Sequence, residues 1–239
     1  MRLFFAAIAA LVIAAPAQAQ QWYRAETNNF IIISQDSEEA TREFASNLER
    51  FDMALRSLQN MPVGEEQPTD ATKLTVFRFG DAGTIARSAE IPGIAGVYFG
   101  RAGESLALTP AREERRRSNS VTNVDARRAE RTNLDIVSVL QHEYVHYFMM
   151  QHFPAAYPRW YVEGYAELLA TTRLNEDGSF HVGDPPLYRG DSLYYMTQFR
   201  LEDMLDQEHD LSGKEAYQHY TVAGCSPTTS TSIRNGWRS

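Results

Sequence analysis

The sequence predicts an α+β protein in which an N-terminal mixed α/β lobe with a small sheet precedes a helical lobe. Short β-branched or alternating runs recur in the first half of the chain and are typical of strands. An apolar pattern with three- and four-residue spacing, starting at Phe44, lies between two of these runs and indicates an amphipathic helix. In the second half, residues 134–172 contain two successive helical patterns separated by a proline-bracketed loop.

Changes of composition divide the 239 residues into five segments. Residues 1–19 carry Arg2, an apolar run too short to span a bilayer, and an Ala-x-Ala ending, which together are the pattern of a secretory signal peptide. This pattern predicts export to a periplasm or to the outside of the cell. Residues 20–110 are expected to form the α/β lobe, and residues 133–222 the helical lobe.

Residues 111–132 separate the two predicted lobes. They are rich in arginine and glutamate and have almost no large apolar residues, so we expect a flexible, solvated insertion. The alternative is a lid or a docking patch for an acidic partner, which the interspersed acidic residues weaken.

Charge and cysteine content exclude several classes of protein. The formal net charge of −8 argues against nucleic acid or an anionic membrane as the main partner. Cys225 is the only cysteine, so the chain cannot form an internal disulfide, and the core and any bound metal must hold the fold. No long apolar run follows the signal peptide, which predicts no stable membrane insertion after its removal.

The first predicted elements are two strands and a helix. Residues 22–26 and 30–34 are predicted strands separated by a Thr-Asn-Asn turn. Asp36 and Glu39 have the spacing of a capping box and predict the start of a helix, which ends before a Met-Pro pair.

Four shorter elements complete the N-terminal lobe. Residues 73–79 alternate and end at a glycine, which predicts a strand. Residues 81–89 have the pattern of a short helix that an Ile-Pro-Gly sequence ends. Residues 96–100 and 105–109 are predicted to pair as a hairpin.

The sequence Gln-His-Glu-Tyr-Val-His at residues 141–146 is the candidate site. On a helix, His142 and His146 lie one turn apart on the same face, with Glu143 beside them. Neutral imidazoles bind zinc, and a neighbouring carboxylate can take a proton from metal-bound water whose pKa the zinc has lowered. The other interpretation of the pair is two half-buried histidines that make hydrogen bonds in a core helix.

The second helical pattern offers two further carboxylates. A catalytic zinc takes three protein ligands and keeps one open position, and two histidines with one glutamate form a known set. Glu163 is the candidate third ligand. Glu167 follows it by four residues on the same face and is expected to accept the other N–H of a zinc-bound imidazole. The alternative for Glu167 is a solvated side chain that only supports the helix.

The His-Glu-x-x-His motif and the Trp-x-x-Glu-Gly segment at 160–164 resemble the gluzincin metallopeptidases, especially small bacterial peptidase-MA-like domains. The resemblance covers residues 134–172. It implies a zincin-like fold and an exported zinc metallopeptidase that acts on a peptide or protein substrate. It also implies that Zn2+ binds to His142, His146 and Glu163, and that Glu143 is the general base.

The resemblance implies two further features. An edge strand of the sheet beside the zinc cleft would pair with an extended substrate, and one strand of the 96–109 hairpin is the candidate. A Tyr or His beyond the third ligand would stabilise the oxyanion. The sequence does not choose among the candidates for that role, which are Tyr194, Tyr195, Tyr217, Tyr220, His181 and His219. The rival function is a non-catalytic secreted or envelope binding module with a structural or vestigial zinc site.

Residues 223–239 form the last segment. The composition changes abruptly after Val222 and shows neither a helical nor a strand period, so we expect disorder. With suitably chosen codons from Val222 onward, a shift of reading frame gives an apolar helical sequence, which suggests the hypothesis of a frameshifted tail on a shortened and impaired enzyme.

Overall fold

The computed structural model describes residues 21–62, 69, 72–92, 94–101, 104–112 and 136–185, together with the backbone of 231–233. The described part mixes α and β structure, with two small sheets and four helices. The predicted signal peptide, residues 113–132 of the charged insertion and most of the C-terminal tail lie outside the described residues.

The larger sheet is a mixed sheet of five strands in the order β1-β2-β3-β5-β4. The three inner strands run parallel to one another, whereas β1 and β4 are antiparallel to their neighbours at the two edges. The strands span Tyr23–Glu26 (β1), Phe30–Ser34 (β2), Leu74–Arg78 (β3), Val97–Arg101 (β4) and Glu104–Thr109 (β5). The predicted strands and the predicted hairpin are therefore confirmed to within one residue at most ends.

The helices are α1 (Glu38–Leu58), α2 (Ala82–Ala89), α3 (Ile136–His152) and α4 (Arg159–Ala170). The predicted cap of α1 was wrong, because Ser37, and not Asp36, accepts the hydrogen bond from the N–H of Ala40, at 3.2 Å. Asp36 instead lies 3.0 Å from the guanidinium of Arg78 at the end of β3. Pairing with this half-buried cation occupies the carboxylate, so the next residue caps the helix.

Helices α1 and α3 share one hydrophobic core with the larger sheet. Tyr144 of α3 is 1% exposed, and its ring centroid lies 5.0 Å from that of Phe30 in β2 and 5.9 Å from that of Phe51 in α1. The helix that carries the histidine motif is therefore packed against residues far away in the sequence.

A buried polar cluster joins α1 to α3 inside this core. The hydroxyl of Tyr144 donates to Asp52 Oδ1 at 2.6 Å, and Arg56 Nε donates to Asp52 Oδ2 at 2.8 Å. The other end of Arg56 lies 3.3 Å from Nε2 of His152, in the last turn of α3. Burial raises the pKa of Asp52, while Tyr144 and Arg56 oppose that rise. Because the partners of the carboxylate come from both helices, the cluster fixes α3 relative to α1.

A three-stranded second sheet follows α4, in the order β6 (Arg173–Leu174), β7 (Phe180–Val182) and β8 (Thr231–Ile233). The first two strands form a hairpin around the Asn-Glu-Asp-Gly sequence at residues 175–178. The third lies in the tail for which the sequence predicts no regular structure, and there the structure differs. Without β8, the side of β7 that faces away from β6 would have unpaired backbone groups. Thr and Ile favour strands, so three tail residues can pair with that side.

None of the helices in the described ranges combines the length and the apolar composition that crossing a membrane would require.

The buried cluster generates a prediction about stability. We expect Asp52→Ala to lower the free energy of unfolding by about 3–5 kcal/mol, because it leaves the buried Arg56 cation and the Tyr144 hydroxyl without their partner. Tyr144→Phe should cost about 1–3 kcal/mol. Urea unfolding followed by circular dichroism measures both changes.

The matched control is Arg42→Ala on the same helix, because the ion pair of Arg42 with Glu38 is exposed. This substitution should change the free energy of unfolding by less than about 1 kcal/mol. An Asp52→Ala protein as stable as the Arg42→Ala protein would contradict the proposed importance of the cluster.

Candidate metal centre

The two histidines of the motif face each other across one turn of α3. Their Nε2 atoms are 3.0 Å apart, and the ring planes are nearly perpendicular, with centroids at 4.7 Å. Both side chains are mostly buried, with exposed fractions of 14% and 16%. The four-residue spacing on a helix brings the two nitrogens together without help from the rest of the fold.

Helix α4 brings a carboxylate to the same point. Oε2 of Glu163 lies 3.3 Å from Nε2 of His142 and 3.5 Å from Nε2 of His146. The connection from α3 passes through Pro154, and α4 begins directly after Pro158, whose extended backbone precedes the first helical turn. The helices pack closely against each other, so a residue near the start of α4 meets the middle of α3.

The three donor atoms have the mutual spacing of ligands around one small cation. Two atoms bound tetrahedrally at about 2.1 Å from a zinc ion lie about 3.4 Å apart. The separations among His142, His146 and Glu163 are 3.0, 3.3 and 3.5 Å. Among the described residues, this trio is the group of acidic, His or Cys side chains that could hold a metal ion.

The charge state of Glu163 also suits a cation. Its Oε2 atom is buried and has no hydrogen-bond partner of normal geometry. Burial raises the pKa of this carboxyl, but the two imidazoles outweigh burial and bring its pKa to about 2. The carboxylate is buried and ionised, and its Oε2 atom has no hydrogen-bond donor, so a divalent ion at this point would stabilise it.

Glu167 lies on the opposite side of the His142 ring. It is 0% exposed, and its Oε1 atom is 3.6 Å from Nδ1 of His142. Burial lowers the pKa of His142, but Glu163, Glu143 and Glu167 together raise it above its ordinary value. The two ring nitrogens of His142 therefore face different carboxylates, one at the predicted ligand and one behind the ring.

Glu143 lies beside the histidine pair, on the side of α3 that faces strand β4. Burial raises the pKa of its carboxyl, while His142 and His146 lower it, and the net shift is upward. The segment just before β4 lies against this side chain, because a Cβ atom added at Gly96 would be 3.2 Å from Cγ of Glu143. The structure thus brings together all four residues that the sequence singled out around the motif, and places Glu167 behind them.

Sequence reasoning expected one strand of the 96–109 hairpin beside the zinc cleft but chose neither the strand nor a residue of it. Gly96 is buried against α3 just before β4 begins, and Tyr98 follows by two residues. An isolated glycine at the start of a strand pattern is a signal of close backbone approach and could have indicated the contact.

The oxyanion candidates divide into two groups. His181 lies in β7, where its Nε2 atom is 3.1 Å from Oδ1 of Asp184. The same aspartate lies 2.7 Å from the guanidinium of Arg173, so His181 belongs to a small ionic cluster on the second sheet. The other candidates lie outside the described residues: Tyr194, Tyr195, Tyr217, Tyr220 and His219.

No protein-family model matches this chain, and no curated protein is significantly similar to it. The resemblance to gluzincins therefore depends on the motif residues and on the geometry that surrounds them.

Proposed function

We propose that the protein is an exported zinc metallopeptidase of the gluzincin type, which hydrolyses amide bonds in a peptide or protein substrate. The observation that carries the proposal is the convergence of His142 Nε2, His146 Nε2 and Glu163 Oε2, separated by 3.0, 3.3 and 3.5 Å. Two imidazoles and one carboxylate form a ligand set of catalytic zinc that leaves a position open.

A zinc ion held by this trio would act as a Lewis acid on the scissile carbonyl and activate water for attack. Oxygen-only sites suit magnesium or calcium, whereas imidazole nitrogens favour transition metals, so the donor set favours zinc over those ions. The low pKa of Glu163 keeps this ligand ionised at neutral pH.

Glu143 is the proposed general base. Its carboxylate is next to the histidine pair without being one of the three donors, so it is available to accept a proton from the attacking water and deliver it to the leaving amine. An upward-shifted pKa moves a carboxylate towards the pH at which proton transfer in both directions is efficient.

Glu167 is proposed to orient His142. A carboxylate on Nδ1 favours the tautomer that carries its proton there and leaves Nε2 free to bind the metal. The distance of 3.6 Å is slightly longer than a hydrogen bond, so a small movement of the ring on metal binding would complete the contact.

Strand β4 is the proposed platform for the substrate. It is one of the two edge strands of the five-stranded sheet and the one that α3 packs against, so an extended peptide could pair with its backbone beside the metal centre.

The first test concerns Glu143. We expect Glu143→Gln to bind zinc normally and to lose hydrolysis of a mixed peptide library by about 10²–10⁴-fold, because the amide cannot accept the proton. His146→Ala should lose both zinc and hydrolysis. Metal content by mass spectrometry and cleavage products by liquid chromatography measure the two properties.

The matched control is Glu38→Gln, an exposed position on α1 that pairs only with Arg42 among its described neighbours. This variant should retain both properties. Full hydrolysis by Glu143→Gln would refute the role assigned to Glu143. A wild-type protein that binds no zinc and shows no chelator-sensitive hydrolysis would refute the zinc peptidase and favour the binding module.

The second test concerns Glu167. We expect Glu167→Gln to weaken zinc affinity by about 10–100-fold, because a neutral amide orients the imidazole less strongly than a carboxylate does. Competition with a chromophoric chelator measures the affinity, with Glu38→Gln as the reference. An unchanged zinc affinity in a folded Glu167→Gln protein would favour a purely structural role for this buried residue.

A further inference from the structure

The turn between α3 and α4 carries an exposed apolar surface, which we call the apolar tip and define as residues 150–161. Met150 is 44% exposed, Phe153 38% and Tyr161 39%. Residues 154–156, with the sequence Pro-Ala-Ala, lie between them and are also exposed. A soluble protein usually exposes large apolar side chains singly, whereas a group of them at one place marks a surface that contacts another molecule. The candidate metal centre uses no residue of this segment and does not account for it.

Stacked tyrosine rings hold the tip in one shape. The ring centroid of Tyr161 lies 5.4 Å from that of Tyr157 and 5.9 Å from that of Tyr165, with interplanar angles of 19° and 3°. The hydroxyl of Tyr157 donates to the carbonyl oxygen of Phe153 at 2.8 Å. The hydroxyl of Tyr165 accepts a hydrogen bond from Gln59, at the end of α1, at 2.7 Å. The exposed rings are therefore ordered before any partner binds, which lowers the entropic cost of binding.

The backbone of the turn leaves few polar groups unpaired. The turn lies between the end of α3 at 152 and the start of α4 at 159, and its two prolines have no N–H group. The N–H of Phe153 donates to the carbonyl of Met149 at 2.8 Å, and the N–H of Tyr157 donates to that of Ala155 at 3.1 Å. Among the described residues, only the N–H groups of the two alanines in the turn have no acceptor. An apolar medium penalises every unpaired backbone group, so a turn that pairs most of its own is suited to such a medium.

The sequence of the tip also lacks acidic residues. The chain has 31 Asp and Glu among 239 residues, yet residues 147–162 contain none. Arg159 is the one Lys or Arg of this stretch. Carboxylates are costly at the boundary between lipid headgroups and acyl chains, whereas aromatic side chains and arginine are typical of it. In a chain with a formal net charge of −8, this local composition distinguishes the tip from the rest of the surface.

The shape of the tip favours a bilayer over a peptide or a small ligand. Four successive residues, 153–156, are exposed where one helix has ended and the next has not begun, so the turn projects from the surface. Small ligands bind in concave sites, which a projecting turn does not provide. Tyrosine combines an apolar ring with one polar atom and suits a boundary at which one side is apolar and the other wet.

We propose that the apolar tip docks reversibly on the surface of a phospholipid bilayer. Met150 and Phe153 enter the outermost part of the acyl-chain region, and the tyrosine hydroxyls lie at the level of the headgroups. The contact is shallow and apolar, so it requires neither a spanning helix nor an anionic surface.

Docking would bring the candidate metal centre to the membrane surface. Met150 follows His146 by one helical turn, so the tip begins about 6 Å from this ligand along the axis of α3. The next step rests on the proposed function: the peptidase would act on peptide segments that lie close to a membrane.

The test measures sedimentation of the exported protein with phosphatidylcholine vesicles. The protein is purified after loss of residues 1–19, checked by mass spectrometry, because an uncleaved apolar run would itself bind lipid. We expect the wild type to sediment with the vesicles. Phe153→Ser should lower the partition coefficient about fivefold, because it removes an exposed ring from the contact. Ala155→Glu should lower it about tenfold or more, because it places a charge in the contact without removing any ring.

The matched control is Ile91→Ser in the other lobe. Ile91 is 40% exposed, close to the value for Phe153, so its replacement removes a similar apolar surface from a different place. This variant should bind vesicles as the wild type does. Circular dichroism spectra identical to that of the wild type exclude unfolding of the variants.

Three results would overturn the proposal. One is a wild type that does not sediment with vesicles, and another is equal binding by the wild type, Phe153→Ser and Ala155→Glu. The third is a wild type that binds no lipid but forms a concentration-dependent dimer, which Ala155→Glu abolishes. That result would assign the tip to a second copy of the chain.

Hydrolysis separates this inference from the proposed function, because vesicle binding requires neither zinc nor cleavage. With a peptide tethered to vesicles, Ala155→Glu should lower kcat/KM about tenfold, and with the same peptide free in solution it should not. If the wild type binds vesicles and cleaves neither peptide, the proposed function fails and the docking surface stands. If the wild type cleaves peptides and does not bind vesicles, the docking surface fails alone.

Discussion

The contact that the site depends on is the packing of α3 against the sheet and against α1, with Tyr144 as its anchor. Tyr144 sits in the middle of the histidine motif, so its ring points into the core while His142 and His146 point towards α4. A hydroxyl group in a core must find a partner, and Asp52 supplies one that is itself held by Arg56. The rotation of α3 about its axis is therefore set by a hydrogen bond inside the core, and the direction of both imidazoles follows from it.

The site on the other face of α3 concentrates titratable side chains in a mostly buried place. Three carboxylates and two imidazoles lie close together, and the deepest of them, Glu167, is completely buried. Such an arrangement costs free energy in an empty site, because buried charges need paired partners. Binding of a divalent cation would offset that cost, so ion binding would stabilise the folded protein as well as prepare it for chemistry.

Strand β4, at one edge of the sheet, lies next to both the core packing of α3 and the candidate metal site. The segment that leads into β4 packs closely against α3 at Gly96, where an added Cβ would lie 2.5 Å from Cγ1 of Val139 and 3.2 Å from Cγ of Glu143. Strand β4 is also one of the two strands whose outer side has no strand partner in the described sheet. The helix that carries the histidines and the strand next to it thus form one unit, which a substitution on either side of the contact would disturb.

Local patterns predicted the elements of this unit but not their arrangement. The strands of the first lobe and the 96–109 hairpin follow from alternation and turn residues, which depend on neighbours in the chain. The cap at Asp36 was wrong because Arg78, from a strand far along the sequence, takes that carboxylate. The order of the strands, and hence the identity of the edge strand, depends on pairings between distant segments, which single-sequence patterns do not specify.

The sequence by itself determined which side chains share a helix face: His142 with His146, and Glu163 with Glu167, because residues four apart on a helix always lie one above the other. Only the tertiary structure decided that the two faces meet, that Glu163 Oε2 lies 3.3 Å from His142 Nε2, and that Glu167 is completely buried behind the ring. These features arise from the packing of α3 against α4 and the sheet, and packing depends on the shapes of many side chains at once, whereas the spacing along a helix depends on the backbone alone.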